Sequence, residues 1–254
     1  MSTLDYSTKF FITSTDLINV LCYPRFNLID YIKKIEDFLS LDLKYVILEG
    51  NTILYNDKIL GKGCEGVVLK VQNIKDELFA LKIRRTDSCR ITMKNEYDFY
   101  RLANTYKIGP IVYSYTVNML LMQFLEGLSI EKWFLQTKLD SHMIKTVVID
   151  ILNQCFILDK MNIDHGQLNK LYNHIIVSPY DLKCTIIDFE SASISRRVSN
   201  LTSAFQGLFF KGIISKQIQK HINYENKQID FLKLLQEYKR NISEDNFNSI
   251  ISLI

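Results

Sequence analysis

A glycine-rich stretch contains the first residues in this sequence that could do chemistry. Residues 61–67 read GKGCEGV, which places glycines at Gly61, Gly63 and Gly66. Glycines at this spacing let a backbone approach phosphates without Cβ clashes, and their N–H groups can face the anion. Strand-type residues follow the motif, whereas a dinucleotide-binding motif requires a helix there. The pattern fits a phosphate-binding hairpin, but alone it fits a glycine-rich hairpin with no ligand about equally well.

Lys82 and Glu96 are a candidate cation–anion pair downstream of the glycines. Lys82 lies in the strand-type run FALKI, and Glu96 lies in the helix-type stretch that follows. A strand lysine held by a helix acid can direct its ammonium group at the α- and β-phosphates of a nucleotide. The alternative is that each is an ordinary solvent-facing residue of its element.

Asp188 and the segment 164–169 are the remaining candidates. Asp188 follows the apolar run CTII, and a carboxylate at the end of a buried strand is costly unless it is hydrogen-bonded or binds a cation. Magnesium beside phosphates is a natural partner, and a capping or turn aspartate is the alternative. Residues 164–169 read DHGQLN, in which His165, taken alone, is more typical of a structural core histidine than of a base or ligand.

The elements that must position these residues follow one another in three blocks. Residues 1–44 are predicted to be helical, with one apolar stripe over residues 28–39. From Tyr45 onward, short strand-type runs separated by turn signals predict an antiparallel block of five strands with one helix. After Gly127 the pattern is mainly helical, with a long buried helix from residue 144 and a short β pair, HIIVS and CTIIDF.

Composition excludes several classes of protein. The 254 residues include 31 Lys and Arg against 28 Asp and Glu, so the net charge of +3 gives no reason to expect direct nucleic-acid binding. With 47% hydrophobic residues, 9 Gly and 3 Pro, the chain is neither disordered nor collagen-like. The five cysteines form no CxxC pair, which fits a reducing compartment. No signal peptide or membrane span is expected, and we therefore predict a cytoplasmic protein.

Taken in order, the motifs resemble the signature set of protein kinases. They are a glycine loop, a strand lysine, a helix glutamate, an apolar strand before a hinge, an HG-x-L turn and an IIDF strand end. They are most similar to the small atypical kinases, namely the RIO kinases, the Bud-type kinases and especially the predicted archaeal Ser/Thr protein kinases. In those relatives the catalytic loop reads HGD or HGE, and the hinge resembles LLMQFLEG. The resemblance covers roughly residues 45–205.

The resemblance implies the fold class and the cofactors. The fold would be α+β and bilobal, like a protein kinase, with a small β-rich N-lobe at residues 45–126 and a compact helical C-lobe at residues 127–254. Residues 1–44 would form a helical N-terminal extension. ATP and Mg²⁺ would be the cofactors, and the γ-phosphate would pass to hydroxyls of a protein substrate, including the chain itself. The segment after Asp188 is rich in such hydroxyls: Ser191, Ser193, Ser195, Ser199, Thr202 and Ser203.

The resemblance also implies roles for individual residues. The three glycines would lie over the triphosphate, and Lys82, held by Glu96, would contact the α- and β-phosphates. At the hinge, Met122 would lie behind the adenine, while the Gln123 carbonyl and the Leu125 N–H would bind the edge of its ring. The full nucleotide-binding set would be Gly61, Lys62, Gly63, Gly66, Val67, Ala80, Lys82, Glu96, Met122, Gln123 and Leu125. Asp188 would ligate magnesium.

Two departures from the kinase pattern concern the catalytic loop. Gln167 occupies the position of the catalytic Asp, and an amide cannot take up a proton at neutral pH. The metal-binding Asn is expected at the position of Tyr172, so Asn173 is one residue late and His174 two residues late. We predict Asn173 as the second metal ligand, because an amide oxygen suits a hard cation better than an imidazole does.

The implied catalytic set is therefore Gln167, Asp164, Asp188 and Lys82, in which Asp164 is a substitute base or a structural residue. Three functions remain open. The first is an active atypical Ser/Thr protein kinase, and the second is a pseudokinase or ATPase-type module whose nucleotide state controls a partner protein. The third is a small-molecule kinase on the same fold. Gln167 favours the second, whereas a complete set of Lys82, Glu96 and Asp188 favours the first.

Overall fold

The structure is a computed structural model that describes residues 8–136, 138–210, 212–222 and 224–254. The chain divides into two compact units. The first comprises Met1–Arg101 and Pro110–Phe124, and the second comprises Leu102–Gly109 and Leu125–Ile254. The first unit is built around an antiparallel sheet, and the second is mainly helical.

Nine strands belong to the described part of the first unit. They are β1 Thr8–Phe11, β2 Leu43–Leu48, β3 Thr52–Leu54, β4 Asp57–Ile59, β5 Gly61–Lys62, β6 Gly66–Asn73, β7 Leu78–Arg84, β8 Val112–Tyr115 and β9 Met119–Gln123. The sheet has the order β1-β2-β6-β7-β9-β8, and β5 pairs with β6. Strands β3 and β4 form a separate hairpin. The predicted antiparallel block is confirmed, with more strands than the five expected.

Three helices accompany this sheet: α1 Ile18–Leu21, α2 Leu28–Ser40 and α3 Lys94–Asn104, which continues into the second unit. Asn27 caps α2, since its side-chain oxygen accepts a hydrogen bond of 3.0 Å from the Asp30 N–H. Phe38 of α2 is fully buried in the core cluster that also holds Leu81 and Ile83 of β7. Because side chains alternate along a strand, Lys82 is directed to the opposite face of β7.

The prediction that residues 1–44 are helical is wrong for β1. Residues 8–11 pair antiparallel with β2, with Phe11 opposite Tyr45 and their ring centroids 4.6 Å apart. The stabilising partner lies more than thirty residues away along the chain, so a local apolar pattern does not reveal it. The apolar stripe over residues 28–39 is confirmed as helical by α2. Residues 1–7 lie outside the described residues.

The second unit contains six described helices and one small sheet. The helices are α4 Ile130–Gln136, α5 Ser141–Lys160, α6 Asn200–Phe209, α7 Gly212–His221, α8 Gln228–Arg240 and α9 Glu244–Ile251. Strands β10 Leu128–Ser129, β11 Ile175–Val177 and β12 Cys184–Ile186 pair in that order. The predicted long helix and the predicted β pair are both confirmed. Strand β12 ends two residues before Asp188, so the strand places Asp188 just beyond the edge of the sheet.

Helix α5 is the central helix of the second unit. Asp140 caps it, because its carboxylate accepts a hydrogen bond of 2.8 Å from the Met143 N–H. Within the described residues, α5 is the one helix long and apolar enough to cross a membrane. Its residues Ile144, Val147 and Ile151 are fully buried within the fold, which is the pattern of a core helix.

Candidate functional site

The glycine stretch forms a tight hairpin between β5 and β6. The Gly63 N–H donates to the Gly66 carbonyl over 2.8 Å, which closes the turn. Arg85, just beyond β7, holds the tip from the side: its N–H donates to the Glu65 carbonyl over 2.9 Å and its Nη1 donates to the Gly63 carbonyl over 3.1 Å. The thiol of Cys64 is exposed at the tip. The tip of the hairpin is therefore held by hydrogen bonds to its backbone carbonyl groups rather than by buried side chains.

The three glycines differ in how much space the structure leaves for a side chain. A Cβ on Gly66 would lie 3.0 Å from the Ile83 carbonyl oxygen and 3.1 Å from Cγ of Lys82, so Gly66 makes room for Lys82. A Cβ on Gly63 would meet nothing closer than the Gly66 oxygen at 3.7 Å, and one on Gly61 nothing closer than 3.9 Å. Packing within the chain therefore disfavours a side chain at residue 66 and leaves room for one at residues 61 and 63.

Lys82 and Glu96 form a buried ion pair. The Lys82 Nζ donates to Glu96 Oε1 over 2.8 Å, and the two side chains are 6% and 1% exposed. Lys82 is thus no solvent-facing strand lysine, and Glu96 is no solvated helix glutamate. A desolvated charge is tolerated only when it is paired and hydrogen-bonded, so this pair demands a specific geometry of β7 and α3.

The predicted hinge residues lie where β9 ends. Met122 is buried and stands opposite Ala80 of β7, which is buried as well. The Gln123 N–H donates to the Ile111 carbonyl over 2.8 Å, and its side-chain oxygen accepts from the Ile111 N–H over 3.2 Å. Leu125 is the first residue of the longer segment of the second unit, Leu125–Ile254. Of the other predicted nucleotide-binding residues, Val67 is buried and Lys62 is exposed.

His165 holds the loop of residues 164–169 onto the end of β12. Its backbone N–H donates to the Asn200 side-chain oxygen over 2.8 Å, and its Nε2 lies 3.0 Å from the Ile187 carbonyl oxygen. Because a carbonyl only accepts, Nε2 carries the proton. Its Nδ1 is buried and has no hydrogen-bond partner among the described residues. The structural alternative for His165 is therefore confirmed, and the residue positions the chain just before Asp188.

Burial, together with the nearby His174, lowers the pKa of His165 to about 4. The unfolded chain takes up a proton here below about pH 6.5, whereas the folded chain does so only near pH 4. Stability is therefore lost as the pH falls through this window, and His165 should account for about 3 kcal/mol of the loss between pH 7 and pH 4. Urea unfolding at both pH values, in the wild type and in His165→Gln, measures this contribution.

The variant should lose about 3 kcal/mol less than the wild type over the same pH interval. His142→Gln is the matched control, because His142 is exposed on the same unit and should leave the interval unchanged. An equal loss in wild type and His165→Gln would show that His165 is not held neutral.

The Gln167 and Asp164 side chains contact the segment that follows Asp188. Gln167 Nε2 donates to the Ser191 hydroxyl oxygen over 2.8 Å. Asp164 is buried, and its Oδ2 accepts from Arg196 Nε over 2.9 Å. The backbones of Asp164 and Ser193 exchange two hydrogen bonds of 2.8 Å. Asp164 is accordingly engaged by a guanidinium, while Gln167 points its amide at a hydroxyl.

Asp188 has a left-handed backbone, with φ at 72° and ψ at 65°. Such a conformation is rare for residues other than glycine and is concentrated at functional sites. Its Oδ2 lies 3.7 Å from Nδ1 of His174, whereas the Asn173 side chain is exposed. A carboxylate oxygen of Glu190 lies within 4.8 Å of one of Asp188. The residue placed beside Asp188 is thus His174, and Asn173 as a metal ligand stays a prediction.

A buried network that the sequence analysis missed supports this loop. Asp159 of α5 accepts four hydrogen bonds, from the backbone N–H groups of Asn200 (2.9 Å) and Leu201 (3.1 Å), from Asn200 Nδ2 (2.8 Å) and from the Tyr238 hydroxyl (3.0 Å). The Asn200 amide also donates to the Ile163 carbonyl over 2.7 Å. Asn200 therefore connects α5 to the loop at both Ile163 and His165. The only sequence signal was polar residues in apolar stretches.

Comparison with known proteins supports the same fold. The sequence matches no protein-family model and no curated protein. The structure is similar to that of a Rio2 kinase from Chaetomium thermophilum, solved as an ADP/Mg²⁺-phosphoaspartate complex, with a TM-score of 0.51 and 15% identity. The similarity covers 90% of this chain and 76% of that chain. The chain therefore has an α+β, bilobal protein-kinase-like fold of the kind seen in a RIO kinase.

Proposed function

We propose that this protein is an atypical Ser/Thr protein kinase that transfers the γ-phosphate of MgATP to protein hydroxyls, including its own. The buried Lys82–Glu96 ion pair carries the proposal. Its two side chains are almost fully desolvated at a separation of 2.8 Å. A purely structural chain has little need of such a pair, because apolar residues of similar volume commonly stabilise a fold equally well.

The glycine hairpin fits the triphosphate of a nucleotide. A Cβ on Gly61 or Gly63 would make only ordinary van der Waals contacts, at 3.9 Å and 3.7 Å, so their lack of a side chain is not explained by contacts within the chain. It is explained if a phosphate approaches the backbone there. In this proposal Gly61, Gly63 and Gly66 bind the phosphates and Lys82 contacts the α- and β-phosphates. Met122, Gln123 and Leu125 bind the adenine.

The chemistry of the donors around Asp188 fits magnesium. The carboxylates of Asp188 and Glu190 offer hard oxygen ligands close together on one short segment. Asp188 is the proposed ligand, and the Asn173 amide is proposed as the second. When bound, magnesium supplies positive charge that offsets the charge of the phosphates. The roles proposed for the other residues are set by their own side chains and backbone groups.

Gln167 would orient the acceptor hydroxyl rather than deprotonate it. Phosphoryl transfer proceeds largely through a loose transition state, so positioning and charge neutralisation dominate. A general base contributes about 10²–10⁴-fold, so its absence slows transfer without abolishing nucleotide binding. The contact between Gln167 Nε2 and the Ser191 hydroxyl oxygen, at 2.8 Å, supports this role.

A pseudokinase is the second candidate, and the Asp164–Arg196 ion pair favours it. Asp164 is the nearest acid that could replace Gln167 as a base, and its Oδ2 is engaged by Arg196 Nε at 2.9 Å. In that case MgATP binding would control a partner protein without transfer. Both candidates require nucleotide binding, and phosphate transfer separates them.

MgATP should raise the melting temperature of the wild type. A ligand at 100 times its Kd contributes about 2.7 kcal/mol to stability. Gly63→Ala and Lys82→Met should each lose most of this increase, because one obstructs the backbone cradle and the other removes the phosphate-binding ammonium. Each variant is compared with its own melting temperature without nucleotide, so that a change in intrinsic stability does not enter.

Lys70→Met is the matched control for Lys82→Met. Lys70 is also a strand lysine paired with a glutamate, since its Nζ lies 2.7 Å from Glu49 Oε1. Lys70→Met should keep the full MgATP-induced increase in melting temperature.

Incubation with radiolabelled ATP and magnesium then scores transfer to protein. Absence of a melting shift in the wild type at saturating MgATP would refute both candidates, whereas a shift without transfer would favour the pseudokinase.

A further inference from the structure

Ser191 is the hydroxyl that meets the Gln167 amide. Its Oγ accepts from Gln167 Nε2 over 2.8 Å, and it lies three residues after Asp188, at the end of the 3-10 turn Phe189–Ser191. Gln167 occupies the sequence position at which kinases carry the residue that contacts the acceptor hydroxyl. A hydroxyl of the chain itself therefore stands where an acceptor hydroxyl is expected.

The other hydroxyls of this segment are engaged elsewhere. The Ser193 oxygen accepts from the N–H groups of Ser195 (3.1 Å) and Arg196 (3.3 Å), and it pairs with the Ser195 hydroxyl (3.0 Å). Thr202 is buried and donates to the Ser199 carbonyl over 3.2 Å. Among the hydroxyls between residues 189 and 203 that the structure describes, Ser191 is the one that accepts a hydrogen bond from the Gln167 side chain.

A guanidinium stands next to Ser191. Arg196 Nη2 donates to the Ser191 carbonyl oxygen, and the Arg196 side chain is 50% exposed. A Cβ at residue 166 would come within 2.5 Å of Nη2, so Gly166, with φ at +84°, makes room for the guanidinium. Arginine stays charged at any physiological pH and binds phosphate through two parallel hydrogen bonds. A phosphate on Ser191 would form beside a cation that is already in place.

We propose that Ser191 is the acceptor for self-phosphorylation within one chain, oriented by Gln167 and received by Arg196. This inference rests on the proposed kinase function. The Ser191 Oγ forms a bond to the γ-phosphorus of ATP while the bond from that phosphorus to the β,γ-bridging oxygen breaks. ADP leaves with the electron pair, and the hydroxyl proton passes to solvent. The product is phosphoserine at residue 191.

The test uses the full-length chain with radiolabelled ATP and magnesium. Label should appear on the tryptic peptide of residues 184–196, and fragmentation should place it on Ser191. Ser191→Ala should lower incorporation at least 10-fold, whereas Ser193→Ala and Ser195→Ala, the matched controls on the same peptide, should retain it. Ser191→Ala should keep the MgATP-induced rise in melting temperature, because Ser191 is an acceptor and not a nucleotide ligand.

Two further measurements sharpen the result. In a mixture of wild type and a size-tagged Lys82→Met copy, the tagged copy should carry less than a tenth of the label, because transfer occurs within one chain. The label should also resist hydroxylamine, which releases phosphate from a carboxylate but not from a serine.

The possible failures are distinguishable. Full labelling of Ser191→Ala, or label that hydroxylamine releases, would overturn this inference and leave the kinase function intact. Equal labelling of the tagged copy would overturn transfer within one chain. Wild type that shows neither label nor a melting shift with MgATP would refute the kinase function, and this inference with it.

Discussion

Asp159→Ala is expected to lower the free energy of unfolding by about 4 kcal/mol. The Asp159 carboxylate accepts four hydrogen bonds from three residues, and alanine would leave those buried donors without an acceptor. Each unsatisfied buried group costs about 1–3 kcal/mol, and water entering the space left by the side chain recovers part of that cost. Urea unfolding of wild type and variant at neutral pH measures the difference.

Asp150→Ala is a control on the same helix in which fewer hydrogen bonds are lost. Asp150 Oδ2 accepts from the Cys184 N–H over 2.7 Å and from Gln154 Nε2 over 3.2 Å, and the residue is only partly buried. Its loss should cost about half as much as the loss of Asp159. If Asp159→Ala cost less than about 1 kcal/mol, the Asp159 network would not be what holds the loop of residues 163–169 in place.

Gln167→Glu should speed phosphate transfer to protein by up to the ~10²–10⁴-fold that a general base supplies. A carboxylate at this position can take up the hydroxyl proton that an amide cannot. Glutamate keeps the reach of glutamine, whereas aspartate in Gln167→Asp is one methylene shorter, so both variants are needed. Initial rates with radiolabelled ATP, at saturating MgATP, measure the gain.

Asp164→Asn is the control for this experiment, because Asp164 is the other candidate base. If the wild type is fast and both acidic variants are slower, another group is the base, and Asp164→Asn should then abolish transfer with nucleotide binding intact. If the wild type binds ATP without transfer while Gln167→Glu transfers phosphate, the natural protein is a pseudokinase. An unchanged rate in both acidic variants would contradict the assignment of residue 167 to the acceptor position.

Local patterns were enough to anticipate the strand that carries Lys82 and the helix that carries Glu96. A strand-type run bounded by turn signals identified β7, and the helix-type stretch that follows identified α3. The pairing of Lys82 with Glu96 did not follow from these local signals and was implied by the resemblance to kinases. The end of β12 just before Asp188 was anticipated from the apolar run that stops there.

The partners of the loop of residues 164–169 could not be anticipated in this way. Asn200 contacts His165 from 35 residues further along the chain, and Arg196 contacts Asp164 from 32 residues further. Neither residue differs in its local setting from an ordinary surface or capping residue. Their contacts depend on how α5 and α6 pack, which is a tertiary property, and β1 was missed for the same reason.

The division of the chain into two units bears on how it folds during synthesis. The backbone passes between the units at three points, because residues 102–109 belong to the second unit and residues 110–124 return to the first. A nascent chain that ends at Phe124 carries every segment of the first unit. Ala103 and Ile108, both buried in the folded 254-residue chain, would still lack the unit to which they belong. A truncation at residue 124 should therefore need chaperone protection, and separate expression of the two units requires cutting α3.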